Sequence, residues 1–475
     1  MAWTRRPADG DTIERTIEPV DELPPLRQLI PLGLQHVLAM YAGAVAVPLI
    51  VGGALIGAGK LNPGDLPYLV NADLLVAGIA TLIQSIGFWR FGVRMPLIQG
   101  CTFAAVTPMI LIGSEHGVTA IYGSVIAAGL LMIALSGVFA RLLRFFPPLV
   151  TGTVILIIGL SLIPVAAGWV TQNQDAAAPA DVALAAFVLV LVLLLERFAP
   201  APLARVSILL AIVIGTLVAI PFGKANWDGV GDEAWVGIST PFHFGLPSFQ
   251  VGSVIAMLIV ALVTMTETTG DILVIGELVE TEVTPQRLAD GLRADGLSTL
   301  LGGVFNTFPY TAFAQNVGLV GLTRVKTRYV ATVAGIVLIV FGLLPKLGAI
   351  VSGVPLPVLG GAGIALFGMV AASGVRTLSS VRFTNSNILV VAIAVGIGLL
   401  PVVHGGIYGR FPDWFQTIFN SGISAGALVA ILLNVVLPTA PGDAAPGLSA
   451  HDAVREQPQP PAVDGTKPEP AAAES

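Results

Sequence analysis

The sequence predicts an all-α polytopic membrane protein with fourteen transmembrane segments. Of its 475 residues, 55% are hydrophobic and only 11% are charged, whereas soluble domains carry roughly 25% charged residues. Apolar stretches of about 20 residues, the length that crosses a bilayer, recur through the middle of the chain. Lys and Arg collect on alternate connections between these stretches, in agreement with the positive-inside rule. A soluble globular protein is therefore excluded.

The composition excludes several other classes of protein. The single cysteine, Cys101, cannot build a disulfide framework, and 54 glycines suit no long coiled coil. A net charge of -6 provides no basic surface, so we expect no nucleic-acid partner. No His, Cys, Asp and Glu residues have metal-ligand spacing. We therefore expect no metal, no cofactor and no enzyme, since membrane enzymes need such metal sets or an activated nucleophile.

Two polar tails flank the apolar region. Residues 1–27 hold four arginines without the order of a signal peptide, so we expect a cytosolic tail. Residues 440–475 are rich in Pro, Ala, Glu and Asp, and we expect disorder there because little apolar surface offsets the ordering entropy. Between the tails, the predicted segments are 29–52, 67–88, 95–114, 118–140, 147–171, 181–199, 204–222, 250–277, 291–305, 307–322, 328–348, 355–373, 386–402 and 416–438.

The charge distribution predicts an even number of segments in the cell membrane, with both termini in the cytoplasm. Of the 23 lysines and arginines, only Lys60, Lys224, Lys346 and Arg410 fall on the opposite side of this topology. A missed or invented segment would disrupt the alternation. The connection of residues 223–249 is then expected on the external face.

Segments 3 and 10 are interrupted by Pro, Gly and polar residues at corresponding positions of two seven-segment halves. An odd repeat unit places its second copy upside down, so we expect two inverted repeats. Extended backbone at membrane depth needs hydrogen-bond partners in protein or in a wet cavity. We expect extended stretches near 97–101 and 309–313, each leading into a half-helix whose N-terminus faces a ligand site near the midplane. The alternative is a pair of proline-kinked structural helices.

Segment 8 carries a polar stripe on one helical face, formed by Thr264, Glu267, Thr268 and Asp271. Carboxylates inside a span are energetically costly and are functional candidates. We expect Glu267 to hydrogen-bond a substrate, and Asp271 to carry a coupling proton or to orient its neighbours. The alternative is that backbone donors of the adjacent breaks satisfy both carboxylates.

Four further polar residues lie in predicted spans. Asp295 in segment 9 is either a transport residue or an interfacial partner for Arg293. His36 in segment 1 either relays protons or packs as a satisfied histidine. We expect an interfacial or structural role for Asp73, and a small packing role for Cys101.

A family motif occupies residues 315–324, which read Gln-Asn-Val-Gly-Leu-Val-Gly-Leu-Thr-Arg. It resembles the signature of the nucleobase/ascorbate transporters: Gln, Glu or Pro, then Asn, any residue, Gly, four residues, Thr, and Arg, Lys or Gly. Further stretches resemble this family in the same order, at 33–40, 99–103, 267–271 and 291–296. The resemblance covers roughly residues 28–438 and is greatest to bacterial uric acid and xanthine permeases.

The resemblance implies two inverted repeats of seven segments, arranged as a core domain and a gate domain. The core domain would comprise segments 1–4 (residues 28–146) and 8–11 (residues 250–349). The gate domain would comprise segments 5–7 (residues 147–249) and 12–14 (residues 350–439), and homodimers would assemble through it. Segments 3 and 10 would each contain a short strand, and the substrate would lie between these strands and segment 8.

The resemblance also implies the site residues. Glu267 and Gln315 would be the main side-chain contacts to the base, and Asn316 would shape the motif. Asp271, Asp295 and His36 would serve proton coupling and transport, together with Glu267. The remaining expected members are Thr102, Phe103, Phe313 and Ala314 at the pocket, and Gly318, Thr323 and Arg324 in the motif, which Arg324 ends on the cytoplasmic side.

Gln315 favours xanthine or uric acid as the substrate, because uracil permeases of the family have Glu at this position. A neutral amide offers a donor and an acceptor to an oxopurine and does not oppose an anion such as urate. We therefore expect a purine:proton symporter that works by alternating access. The alternatives are a uracil or broad-specificity nucleobase permease, a sodium-coupled family member, and an anion exchanger of the related sulfate and bicarbonate group.

Overall fold

The computed structural model describes residues 18–142, 145–225 and 227–437. The predicted C-terminal tail, residues 440–475, and most of the predicted N-terminal tail lie outside these described residues. Within them, eight helices are long and apolar enough to cross a membrane, or nine when one sharply bent pair is counted as a span. The chain is a multi-pass membrane protein.

The first half of the chain follows the predicted segments 1 to 7. Segments 1 to 4 correspond to α1 (Leu26–Gly57), α2 (Asp65–Ile86), β1 (Gln99–Cys101) with α3 (Val106–His116), and α4 (Val118–Leu135), after which comes the short α5 (Phe139–Leu142). Segments 5 to 7 correspond to α6 (Pro148–Val170), α7 (Pro179–Phe198), and α9 (Ser207–Ala219), which the short α8 (Ala201–Ala204) precedes.

The second half follows segments 8 to 14 in the same order. Segments 8 to 11 correspond to α10 (Val251–Leu278), α11 (Pro285–Val304), β2 (Tyr310–Ala312) with α12 (Ala314–Thr323), and α13 (Tyr329–Gly342) with α14 (Pro345–Ser352). Segments 12 to 14 correspond to α15 (Leu356–Leu378), α16 (Asn385–Val403), and α17 (Asp413–Phe419) with α18 (Gly422–Val436). All fourteen predicted segments contain a helix.

Segments 9 and 11 differ from the prediction for local reasons, and segment 14 is divided into α17 and α18. α11 begins at Pro285 rather than at residue 291, because the Thr284 hydroxyl accepts a hydrogen bond from the Arg287 N–H and caps the helix before the apolar residues begin. Segment 11 is not one helix: α13 and α14 meet at an angle of 81°. Pro345 has no N–H to continue α13, and it starts α14 instead.

The main helix contacts of the two halves occur in equivalent pairs. α2 of the first half packs against α13 of the second half. The equivalent pair under a seven-segment repeat is α11 of the second half and α4 of the first half, and these helices also pack against each other. An added Cβ at Gly78 would lie 2.6 Å from the Gly335 carbonyl oxygen, and one at Gly129 would lie 2.7 Å from that of Gly296. Glycines let helix backbones approach closely inside a membrane. The same glycine contact in both halves is what an inverted repeat of seven segments predicts.

The helices form two packed groups. α1, α2, α4, α10, α11 and α13 contact one another, and we call this group, with α3, α12 and α14, the core domain. α6, α7, α9, α15, α16 and α18 form the second group, which we call the gate domain. The exact boundaries at residues 146, 249 and 349 remain predictions.

Candidate functional site

The two interrupted segments meet in the interior, where β1 and β2 lie side by side. They pair antiparallel, with Gln99 opposite Ala312 and Cys101 opposite Tyr310. Two backbone hydrogen bonds extend the pairing: Phe313 N to Ile98 O at 3.0 Å, and Thr102 N to Pro309 O at 2.9 Å. The two strands thus supply hydrogen-bond partners for each other's backbone N–H and C=O groups. Extended chain inside a membrane protein requires such partners. The expected extended stretches are confirmed, and the proline-kinked helices are excluded.

The Phe313 side chain closes over β1. An added Cβ at Gly100 would lie 1.7 Å from Phe313 Cε2, so only glycine leaves room for the ring. On the α1 side, an added Cβ at Gly43 would lie 3.6 Å from Phe313 Cε1. Phe313 is buried. This predicted pocket residue therefore packs β1 against α1 and α12.

Thr102 and Phe103 connect β1 to α3. The Thr102 hydroxyl accepts a hydrogen bond from Ala104 N at 3.2 Å and caps the turn that follows. Phe103 packs edge-to-face on Phe367 of α15, with ring centroids 5.9 Å apart. Both side chains are buried. Thr102 thus has a local capping contact, and Phe103 lies where the core domain meets the gate domain.

The polar stripe of α10 lies against β2. Thr268 makes two contacts with this strand: its hydroxyl is 3.1 Å from that of Thr311, and it accepts a hydrogen bond from Ala312 N at 3.3 Å. Thr264, one turn earlier, has a buried hydroxyl without a hydrogen-bond partner among the described residues. α10 also packs against α12. The stripe and the start of the motif therefore adjoin the same strand.

Glu267 and Asp271 are the two carboxylates of this stripe, and both are half-buried. Asp271 Oδ2 is buried and has no hydrogen-bond partner among the described residues. Backbone donors of the neighbouring breaks do not satisfy it. An incompletely bonded carboxylate inside a membrane protein is available to a proton or a ligand.

Asp295 is fully buried inside the core domain, between α11 and α2. Its Oδ1 accepts a hydrogen bond from Gln84 Nε2 at 2.6 Å, and the same nitrogen donates to Gly291 O at 2.9 Å. Arg293 pairs with Asp290 instead. The alternative of an Asp295–Arg293 interfacial pair is therefore wrong, because Gln84 brings an amide donor from α2 to the buried carboxylate.

Asn316 ties the motif to α1 through His36. Its Nδ2 lies 3.1 Å from His36 Nδ1 and donates to His36 O, also at 3.1 Å. Both residues are buried. Asn316 Oδ1 has no partner among the described residues. His36 is thus a packed and hydrogen-bonded residue that orients the first turn of α12.

Gln315 points into a cavity of about 410 Å³ between the core and gate domains. The lining comes from α1 and α12 on one side and from α7, α8, α9 and α15 on the other. It includes Gly318 of the motif and the charged residues Glu196 and Arg205. Gln315 and its neighbour Ala314 are exposed, and only Gln315 of the two lines this space. Glu267 does not contribute to this lining.

The end of the motif terminates α12. The Thr323 hydroxyl donates to Leu319 O at 2.8 Å, and Arg324 adopts a left-handed conformation, with φ 56°, as the C-cap. The Arg324 side chain is exposed. Both residues therefore act on the end of the helix and not on the cavity.

Sequence reasoning missed a buried polar cluster behind the strands. Asp73 of α2 is fully buried, and its Oδ1 accepts hydrogen bonds from the Cys101 thiol at 2.6 Å and the Tyr310 hydroxyl at 2.8 Å. Thr307 donates to the same oxygen at 3.3 Å. Asp73 is not interfacial, and Cys101 is a hydrogen-bond donor as well as a packing residue. The available signal was a carboxylate in an apolar helix, the same signal that identified Glu267.

No group of three or more His, Cys, Asp and Glu side chains could hold a metal ion within the part of the chain that the structure describes.

Sequence relatives match nearly the whole described chain. The family model described as Permease family (Xan_ur_permease) matches residues 27–406. The xanthine permease of Bacillus subtilis is 47% identical over 409 residues, which are 85% of this chain and 92% of that protein. The uric acid transporter UacT of Escherichia coli is 42% identical over 430 residues, which are 89% of this chain and 88% of that protein.

Solved structures share the fold at low sequence identity. The transmembrane domain of a cyanobacterial bicarbonate transporter, BicA, is 18% identical with a TM-score of 0.51, and the match covers 87% of this chain and 98% of that domain. SLC26A9 is 13% identical with a TM-score of 0.54, and the match covers 87% of this chain and 66% of that chain. These likenesses show the arrangement of two seven-segment repeats and nothing about the substrate.

Proposed function

The chain belongs to the Permease family, and from this premise we propose that it carries a purine nucleobase, uric acid or xanthine, across the cell membrane together with protons. The names of its relatives support the substrate class, since a xanthine permease and a uric acid transporter are more than 40% identical to it. The likeness to bicarbonate and anion transporters is one of fold, so an anion exchanger is not proposed.

One observation carries the proposal: the Gln315 amide is exposed to the cavity between the core and gate domains. It follows directly after β2 on the first turn of α12, so the backbone of the strand pair fixes its position. A neutral amide can donate and accept toward the carbonyl and N–H groups of an oxopurine edge. It adds no negative charge that would repel urate.

We assign Glu267 as the acceptor that completes recognition from α10. The neighbouring Thr268 binds β2, the strand that leads to Gln315, by two hydrogen bonds. Protonation of Glu267 or Asp271 would remove an uncompensated charge from the membrane interior as the substrate binds. By linkage, the proton and the substrate then raise each other's affinity by the same factor.

Alternating access would proceed by movement of the core domain against the gate domain. The lining of the Gln315 cavity also includes Glu196, near the end of α7, and Arg205, from a connection predicted to be cytoplasmic by its positive charge. The arrangement therefore fits a state that is open to the cytoplasm, with both termini on that side. We include assembly of homodimers through the gate domain in the proposal.

The test is uptake of radiolabelled uric acid, xanthine and uracil in cells that lack their own permeases, with and without a protonophore. We expect uptake of uric acid or xanthine that collapses with the proton gradient. Uptake that resists the protonophore and requires sodium would reject proton coupling and keep the family. Uptake of uracil alone would reject the purine assignment.

A further inference from the structure

The buried cluster behind the strands joins three parts of the core domain through one oxygen atom. Asp73 Oδ1 accepts hydrogen bonds from the Cys101 thiol of β1, the Tyr310 hydroxyl of β2 and the Thr307 hydroxyl. The Tyr310 hydroxyl is also 3.0 Å from the Asp73 carbonyl oxygen. All four side chains are fully buried, with a relative exposure of 0%.

The positions of the donors in the two strands show which part of the strand pair Asp73 binds. Cys101 and Tyr310 are directly opposite each other in the strand pair, so one carboxylate oxygen binds both members of a single register position. Asp73 belongs to α2, which packs firmly against α13 and α11. The contact therefore anchors the register of β1 against β2 to α2.

Other hydrogen bonds hold each strand separately: Gln99 N donates to the Thr81 hydroxyl of α2 at 3.0 Å, and Tyr310 N donates to the Thr299 hydroxyl of α11 at 3.1 Å. Each strand has only three residues, and the residues paired at the middle position are Gly100 and Thr311. Gly100 has no side chain, and the Thr311 side chain contacts Thr268 of α10. A slip of one residue would turn every side chain of a strand to its opposite face. The side-chain hydrogen bonds that tie the two strands to one common atom are those to Asp73.

We propose that Asp73 is a positioning residue, which holds β1 and β2 in register and so fixes the start of α12 where Gln315 meets its ligand. Asp73 does not touch the cavity between the core and gate domains; it acts through Cys101 and Tyr310. The effect on ligand binding rests on the proposed purine transport, whereas the effect on the strands can be measured without any substrate.

The first measurement uses Cys101 as a reporter, because it is the only cysteine of the sequence. Its rate of alkylation by N-ethylmaleimide in the purified protein is compared between Asp73→Asn and Asp73→Leu. Both variants remove the same charge, but only asparagine keeps an oxygen acceptor for Cys101 and Tyr310. We expect alkylation in Asp73→Leu to be at least about tenfold faster, since tenfold corresponds to about 1.4 kcal/mol and is the order of one hydrogen bond.

The second measurement is the KM and Vmax of xanthine and urate uptake, normalised to the amount of protein in the membrane. Asp73→Leu should raise KM about tenfold, and Asp73→Asn should restore most of the wild-type KM. Asn71→Leu is the matched control. Asn71 is a buried polar residue of the same helix whose side chain faces Pro345 of α14, away from the strands. A merely structural loss lowers the amount of protein in both variants and leaves KM unchanged.

If the Asp73→Leu protein does not fold in sufficient amounts, Tyr310→Phe tests the same contact. This substitution removes only the hydroxyl that donates to Asp73. Combined with Asp73→Asn, it should produce less than the sum of the two single effects, since both act on one contact. Equal alkylation rates and equal KM values in Asp73→Asn and Asp73→Leu would overturn the proposal. Absence of purine uptake by the wild type would reject the proposed function, while the alkylation rates would still decide the role of Asp73.

Discussion

Asn316 of α12 and His36 of α1 are joined by two hydrogen bonds from one amide nitrogen. Asn316 Nδ2 donates to His36 O and lies at the same distance, 3.1 Å, from His36 Nδ1. An amide N–H can donate to Nδ1 when the imidazole proton is on Nε2. The His36 ring thus belongs to the packing of the first turn of the motif.

Replacement of Asn316 by Ala should weaken substrate binding, because α12 loses its link to α1. We expect a coupling energy of about 1 kcal/mol between Asn316→Ala and His36→Ala in a double-mutant cycle. The cycle is measured as the thermal stability of the purified protein and as the KM of uptake. Strictly additive effects would show that the two side chains act independently.

Gly100→Ala should abolish uptake and reduce the amount of folded protein, because the new Cβ would lie 1.7 Å from the Phe313 ring. A partial rescue is expected in Gly100→Ala combined with Phe313→Leu, which removes part of the ring volume. The control is Gly53→Ala in α1, where an added Cβ meets no atom within 4 Å. Failure of every smaller residue at position 313 to rescue would contradict the packing account.

Gly78→Ala should destabilise the protein by about 1–3 kcal/mol, the usual cost of overpacking. The added Cβ would lie 2.6 Å from the Gly335 carbonyl oxygen. Gly129→Ala, at the equivalent contact of the other half, should cost a similar amount. Gly396→Ala in α16 is the control, since an added Cβ there meets nothing within 4 Å. The loss of stability is measured by thermal unfolding in detergent. Clearly unequal losses in Gly78→Ala and Gly129→Ala would argue against equivalent contacts in the two halves.

Glu267→Gln should abolish uptake or uncouple it from the proton gradient. The loss is expected to be about tenfold to a hundredfold, because a hydrogen bond to a charged group contributes about 1.5–3 kcal/mol. Initial uptake rates are measured across a range of external pH. Glu277→Gln on the exposed face of the same helix is the control. A wild-type rate and pH dependence in Glu267→Gln would remove Glu267 from the mechanism.

Gln315→Glu should disfavour urate relative to uracil, because a carboxylate at the cavity opposes an anion. We expect urate to compete at least about tenfold less well for uptake, since like charges brought together cost several kcal/mol. Competition by unlabelled urate, xanthine and uracil against one labelled substrate measures the change. Unchanged competition by urate and uracil would reject the role of Gln315 in specificity.

Local properties of the chain were sufficient to predict most of the architecture. Segments 3 and 10 were identified by Pro, Gly and polar residues inside apolar stretches, and the strands lie at those positions. The broken end of segment 11 was missed, because apolar character continues past residue 342 and only Pro345 marks the bend. Asp295 stays a predicted transport residue, and its contact with Gln84 spans 211 residues of sequence, so no local pattern reveals it.

The sequence by itself determined the membrane class, the fourteen segments, the two interrupted spans and the family motif, because hydropathy, charge and residue order are properties of short stretches. Only the tertiary structure decided what each polar residue contacts. Asp73 and Tyr310 lie 237 residues apart in the chain and share a hydrogen bond of 2.8 Å. Phe313 stays a predicted pocket residue, and its ring fills the space left by Gly100. Such contacts depend on how the two halves fold against each other, and therefore on the whole chain.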